Sequence, residues 1–486
     1  MRQLSIQEYL SYLNYMHRRV LLLLVLMLSS CQWTRKDNLV RSPEVSTDLS
    51  DIRKRGTLTA LVDNNSVSYF IYKGVPMGFE YELLQRVCQH LKLDLKIKVI
   101  SSIEEAVNML NTGQGDVLAF PLTITEERTH FLSFTRPHFA NTQVLVQRKP
   151  EGWKSMAPSE VERSLLRDPV QLIGQEVHVK HGSSFKDRLG NLSEEIGGAI
   201  LVREDSIDAE TESLIRAVAQ GNIRYTVADQ TIAMVNSFYY DNIDVQTALS
   251  LPQQIAWAVR TNSPDSLKAL NDWSDEIKGN GIFQVIYTKY FATPRNAMAV
   301  IQSDYSSHGG NKLSPYDDQI RKLSELLGWD WRLLASVVYQ ESHFQPGVVS
   351  WAGAVGLMQL LPETGSFFQV SNLYDPRQNL NGGVKFLKYL DDYWAKSVTD
   401  PGERIKFVLA SYNAGLSHII DSKNLARKYG KNPARWEQVG WFLAQKTNPK
   451  YYRDPVAPAG YCRCEGALSY VKEILQRYDE YKVHFR

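Results

Sequence analysis

Cysteine is scarce, with 4 in 486 residues. A small disulfide-built scaffold needs many more in a much shorter chain, so that class is excluded. An excess of either charge is lacking too. The net charge is +2 at pH 7, which leaves no overall basic balance and argues against a nucleic-acid partner. Glycine (29) and proline (19) are too few for a collagen-like or low-complexity chain, and 43% hydrophobic residues is ordinary for a globular protein. The length exceeds one ordinary core. It implies roughly two to four domains of about 100–200 residues each.

What is present begins with an export signal. His17, Arg18 and Arg19 precede an apolar run from Val20 to Leu28. The run is shorter than the about 20 residues of a membrane span, and has the length and basic flank of a signal-peptide core. It ends Leu28-Ser29-Ser30-Cys31, which resembles a bacterial lipobox. That resemblance implies loss of residues 1–30, a lipid anchor on Cys31, and residues 31–50 as a tether. Gln32, where Asp would redirect sorting, implies the outer membrane with the protein facing the periplasm. Cys88 lies in an apolar helical run and reads as core. Cys462 and Cys464 read as too close in sequence for a comfortable bridge. No further ligand pair stands near them, so no metal set is expected, and no cofactor.

From 51 to about 295, short β-rich runs alternate with helical ones. Strands are expected at Thr57–Val62, Leu95–Ile100 and Asp116–Pro121, and helices at Glu80–Leu91 and Ile103–Leu110. This order predicts an α/β domain with a largely parallel sheet, whose ligands bind beyond the carboxyl ends of the strands. Three groups stand at such ends: the Thr-rich run Leu122 to Arg128, His181-Gly182-Ser183-Ser184, and Asp229. Together with Gly56-Thr57-Leu58, Gly78-Phe79-Glu80, Gly115-Asp116-Val117 and Phe134-Thr135-Arg136-Pro137, they resemble the family 3 solute-binding proteins of the periplasm. The resemblance implies two lobes, about 51–145 plus 246–293 and about 146–245. It assigns Arg128 to a ligand carboxylate, Thr123 and Ser183 to hydrogen bonds, and Asp229 to an ammonium. Pro121 and Leu122 depart from the small polar residues usual before the Thr. The ligand is therefore left open between an amino acid, a muropeptide or other peptide, and none at all.

Residues 296–311, with Ser306-Ser307-His308-Gly309-Gly310, read as a linker. Beyond it, from 312 to 486, the pattern is helical. Asp330 can cap a helix from Trp331 to Ser342, on which Leu334, Val337, Val338 and Glu341 share one face. A carboxyl on an apolar face near a helix C-terminus is expected to hold its proton toward neutral pH, which is what a general acid needs. Glu341-Ser342 is followed by Ser350, Gly353-Ala354, Gly356-Leu357-Met358-Gln359 and Pro362. Then come Ser411-Tyr412-Asn413-Ala414-Gly415, and finally Glu465 with Tyr470-Val471. The order and spacing resemble the lysozyme-like soluble lytic transglycosylases, with Ser411 where Ala is usual.

That resemblance implies a multidomain enzyme: a two-lobed α/β binding-protein fold followed by a mainly α lysozyme-like domain. Its substrate would be peptidoglycan glycan strands. Glu341 would be catalytic, and Ser350, Met358, Gln359, Tyr412, Asn413 and Tyr470 would support the glycan or the acid. Hydrolytic glycosidases usually add a second carboxylate, and none occupies the motif positions after Glu341. Two alternatives stay open: a lysozyme-type hydrolase on the same fold, and a lipoprotein sensor that docks to peptidoglycan.

Overall fold

A computed structural model describes residues 42–63, 65–100, 102–206, 210–292, 300, 303–307, 310 and 312–485. The signal segment and Cys31 lie outside the described residues. Among these residues no helix is long and apolar enough to cross a membrane.

The first half contains two sheets. One runs in the order Asp94–Val99, Thr57–Val62, Val117–Thr123, Gln253–Val259 and Ser133–Phe134, with Phe139–Asn141 also paired to Gln253–Val259. Its first three strands are parallel, but Gln253–Val259 runs antiparallel to each of its neighbours, so the sheet is mixed where a largely parallel one was expected. The other runs Leu201–Glu204, Glu176–Val179, Tyr225–Asp229, Gln143–Arg148 and Ile243–Ala248. The chain therefore passes to the second lobe near 142 and returns near 250. Apolar strand positions such as Leu61, Val62, Val117 and Ala119 are fully buried beneath helices Phe79–Leu91 and Ile103–Asn111.

The expected tether is shorter than 31–50. Asp48 caps helix Leu49–Arg55 and its carboxylate also accepts from Asp265 N and Ser266 N. Thr47 O accepts from Arg260 and Ser263. Residues 44–50 thus dock on the first lobe, because its buried Arg260 needs carbonyls to satisfy it. The linker reading also changes. Ser307 N donates to Ile71 O at 2.8 Å and Lys73 N to Tyr305 O at 2.8 Å, so 303–307 lie against the hairpin Phe70–Met77 instead of spanning free. Cys462 and Cys464 are bridged, contrary to the spacing argument, because the chain between them holds their Cα atoms 5.3 Å apart.

The second half is helical, with one core in which Leu334, Val337, Leu387, Trp394, Phe407 and Ile474 are buried. Ile71 belongs to this core although it lies in the first half. At the hairpin tip Gly74 (φ 78°) faces the helical domain, and its carbonyl accepts from Tyr481 Oη at 3.0 Å. A Cβ there would stand 2.6 Å from Tyr481 Oη and 2.7 Å from Tyr339. Only glycine gives both this backbone angle and this approach.

Arg260 is completely buried. It donates to Leu110 O (2.9 Å), Gly115 O (2.6 Å) and Thr47 O (3.0 Å) and lies 3.7 Å from Asp116. Arg260→Met is expected to destabilise the chain by about 3 kcal/mol, because carbonyls and a carboxylate would stay buried without their cation. Thermal unfolding of the full chain checks this; an unchanged midpoint would refute it.

Candidate active site

The helix Trp331–Ser342 starts where sequence placed it, with the Asp330 side chain accepting from Arg332 N. Leu334, Val337 and Val338 are buried, which sets Glu341 at the rim of the core, partly exposed. The helix stops at once. His343 (φ 51°) and Phe344 (φ 61°) are both left-handed, an uncommon pair for residues with side chains. Ser342 Oγ donates to Leu357 O at 2.9 Å and ties the helix end to the next loop.

Burial pushes the Glu341 carboxyl up to about 7. Tyr470, from helix Glu465–His484, donates its hydroxyl to Glu341 Oε1 at 2.5 Å and pulls the other way, since it favours the ionised form. Tyr412, near the end of helix Pro401–Ala414, lies close enough to feel the Glu341 charge. Burial and that charge hold its phenol well above the ordinary range. Its hydroxyl donates to Met358 O at 2.7 Å, and its ring packs 5.0 Å from Phe386.

The loop from 348 to 360 forms the floor. Ala354 N donates to Ser350 Oγ at 3.0 Å, so the Ser350 hydroxyl oxygen holds its own turn. Gly356 (φ 84°) has no room for a Cβ, which would meet Asn379 Nδ2 at 2.4 Å. Asn379 is fully buried. It accepts from Met358 N at 2.7 Å and donates to Val355 O and Leu373 O. The motif therefore fixes the loop through one amide that the spacing argument missed. A polar residue beside Leu380, Gly383 and Val384 on a buried helix face was its available signal.

The structure brings Glu341, Tyr412 and Tyr470 together. Two expectations are corrected. The Met358 side chain does not face a glycan; it is fully buried against Gly383, and its carbonyl is what reaches the site. The Gln359 amide nitrogen is committed to Val348 O and Gly356 O, each at 3.0 Å. Asn413 stands exposed on the last turn of its helix. The Ser411 departure has a physical reason here: its buried hydroxyl oxygen accepts from Trp394 Nε1 at 2.9 Å.

In the first half, Thr123, Arg128, Ser183 and Asp229 line one cleft between the lobes, with about 80 Å³ of space left in it. Arg128 donates to Thr123 O at 3.1 Å. Burial pushes Asp229 up to about 7, opposed by nearby Arg128. Ser183 Oγ donates to Lys180 O. Lys180 was not anticipated: it lies 2.6 Å from Glu210 and 3.5 Å from Asp63. Ser66 N donates to Glu212 Oε1 at 3.1 Å, so two polar links cross between the lobes.

Residues 58–293 match the bacterial extracellular solute-binding proteins, family 3, and residues 318–434 match the transglycosylase SLT domain. A membrane-bound lytic murein transglycosylase F of Desulfosudis oleivorans is 34% identical over 428 residues, covering 88% of this chain and 90% of the relative. Its namesake in Pseudomonas fluorescens is 30% identical over 458 residues, covering 94% and 88%. An ancestral arginine-binding protein of known structure is 21% identical, with a TM-score of 0.41, and covers 49% of this chain and 99% of its own. By its identity to relatives along nearly its whole length, the chain belongs to the membrane-bound lytic murein transglycosylase F family.

Proposed function

We propose that Glu341 is first the general acid and then the general base of a peptidoglycan lytic transglycosylase. The observation that carries this is a single carboxyl held near pKa 7 with Tyr470 on it. Burial and Tyr470 account for its shift, and no Asp or Glu occupies the motif positions from Ser350 to Gln359 that follow it. A hydrolase of the two-carboxylate kind places its partner about 5–9.5 Å away.

Protonated Glu341 donates to the oxygen between N-acetylmuramic acid and N-acetylglucosamine. The sugar's N-acetyl group steadies the cationic centre. Glu341, now ionised, takes the C6 hydroxyl proton as that oxygen attacks C1. A 1,6-anhydromuramoyl end forms and no water is consumed. Tyr470 favours the ionised half of the cycle, and Tyr412 braces the loop through Met358 O. Asn413, exposed beside them, and Ser350 are left to contact the glycan.

In this reading residues 312–486 are the catalytic domain and 51–295 a non-catalytic binding module. Arg128 and Asp229 hold the two ends of a zwitterionic ligand, an amino acid or a muropeptide piece. Its binding regulates the enzyme, because the hairpin tip at Gly74 touches Tyr339 and Tyr481 on the helices that bear Glu341 and Tyr470. Cys31 carries the lipid anchor that keeps the protein on the outer membrane, facing the periplasm.

Glu341→Gln is expected to abolish release of fragments from purified glycan strands. Mass spectrometry of the wild-type digest should find products one water lighter than hydrolysis gives; reducing muramic ends alone would refute the reading. The first step needs protonated Glu341, so kcat/KM should fall as pH rises through about 7. Tyr470→Phe removes the bond that favours the carboxylate. Its alkaline limb should therefore move to higher pH, and a limb that stays put would separate Tyr470 from the acid. For the binding module, calorimetry of the full chain against amino acids and muropeptides should detect a ligand whose binding Asp229→Asn weakens by at least about tenfold, the loss expected of a charge-assisted contact. Equal affinity in the variant would remove Asp229 from the site.

A further inference from the structure

Cys462 and Cys464 take no part in the chemistry at Glu341. Their bridge closes a loop of three residues, which removes little entropy from the unfolded chain, because such stabilisation grows with loop length. Its surroundings are instead those of an exchange centre. Cys464 is 4% exposed and is the N-cap residue of the 20-residue helix Glu465–His484, which places it at the positive end of that helix. The fold also brings up His418, which sequence spacing had not linked to the pair. A ring nitrogen of His418 and the two sulfurs all lie within 4.8 Å of one another.

Behind His418 stands Lys446, completely buried. Its ammonium donates to Asp421 Oδ2 at 2.5 Å and to His418 Nδ1 at 3.0 Å. With Nδ1 accepting, the neutral ring carries its own proton on Nε2. Cys462 N also donates to Lys446 O, at 3.4 Å. Cys462 itself is partly exposed. Cys462 is thus the residue open to solvent, and Cys464 stands beside the His418 ring at the start of a helix, where a thiolate is stabilised.

We propose that Cys462–Cys464 is a thiol–disulfide exchange site whose reaction partner is a dithiol. A thiolate of the dithiol attacks Cys462 Sγ. The Cys462–Cys464 bond breaks, a mixed disulfide forms at Cys462, and Cys464 leaves as a thiolate beside His418 and the helix end. The second thiolate of the dithiol then attacks its own sulfur in the mixed disulfide and releases Cys462. Two electrons pass to the bridge, the dithiol becomes a disulfide, and its two protons end on Cys462 and Cys464. The low basicity of the leaving Cys464 is what makes the exchange fast. The metal alternative fits less well, since a metal-binding imidazole nitrogen here would have to tolerate the ammonium of Lys446 beside it.

The test uses the folded full chain, dithiothreitol as the dithiol, and a maleimide label located by mass spectrometry. Cys88, buried in the first half, is the internal control. Once dithiothreitol has reduced Cys462 and Cys464, the partly exposed Cys462 should label with no denaturant, while Cys88 stays unlabelled. His418→Gln should slow their reduction by about tenfold, as expected for a poorer leaving thiolate. Lys446→Met should slow it likewise where that variant folds; the more exposed His418 keeps the test decisive where it does not. The proposal is overturned if Cys462 labels only when Cys88 does, or if His418→Gln reacts at the wild-type rate. Labelling released by a chelator in place of the dithiol would mark a metal–thiolate site and overturn it as well.

Discussion

As the general acid proposed for this chain, the carboxyl of Glu341 has to be dry enough to hold a proton near neutral pH and open enough to meet a sugar oxygen. These demands oppose each other, and the second half of the molecule is arranged around both. Apolar residues of its own helix bury it from below, the left-handed pair His343–Phe344 ends the helix before a further turn could cover it, and Tyr470 arrives from the last helix to bond it. The bond lowers the cost of the ionised form without removing the effect of burial, so the group stays poised instead of fixed in one state.

The last helix serves more than the acid. Tyr470 bonds Glu341, Lys472 pairs with Asp94, Gln476 donates to Leu95 O at 3.1 Å, and Tyr481 donates to Gly74 O. One helix therefore touches both the Glu341 carboxyl and the first lobe of the first half. Glu480, pushed up to about 7 by burial, lies in the same contact near Tyr69 and Tyr81. A buried carboxyl in a joint of this kind is costly when charged. The bridge at Cys462–Cys464 sits at the start of this helix, and so the bridge, the bond to Glu341 and the joint all lie along its length.

In the binding half the same physics acts through paired charges. Arg128 and Asp229 face one cleft, and Lys180 pairs with Glu210 at 2.6 Å and lies 3.5 Å from Asp63. The links from Ser66 to Glu212 and from Lys180 to Asp63 cross between lobes that are joined covalently near 142 and 250. They are local electrostatic contacts and would be lost when the lobes separate, which is the property a hinged module needs.

Periodicity and spacing are local properties, and they were enough to read the alternation of strands and helices, the helix Trp331–Ser342 with its Asp330 cap, and Glu341 as the residue out of place on an apolar face. Motif order supplied Tyr412 and Tyr470 without saying what they touch. The roles of Met358 and Gln359 could not be read that way, because which side of a loop faces the core depends on Gly356 and on Asn379 from a later helix. The docking of residues 44–50, the pairing of 303–307 with the hairpin, and the meeting of His418, Lys446 and the two cysteines likewise need contacts between distant segments. Sequence alone determined which side chain could carry the proton. Only the tertiary structure decided how dry it is, what bonds it, and what else shares its helix, because desolvation and charge pairing are set by neighbours that the chain brings close only when it folds.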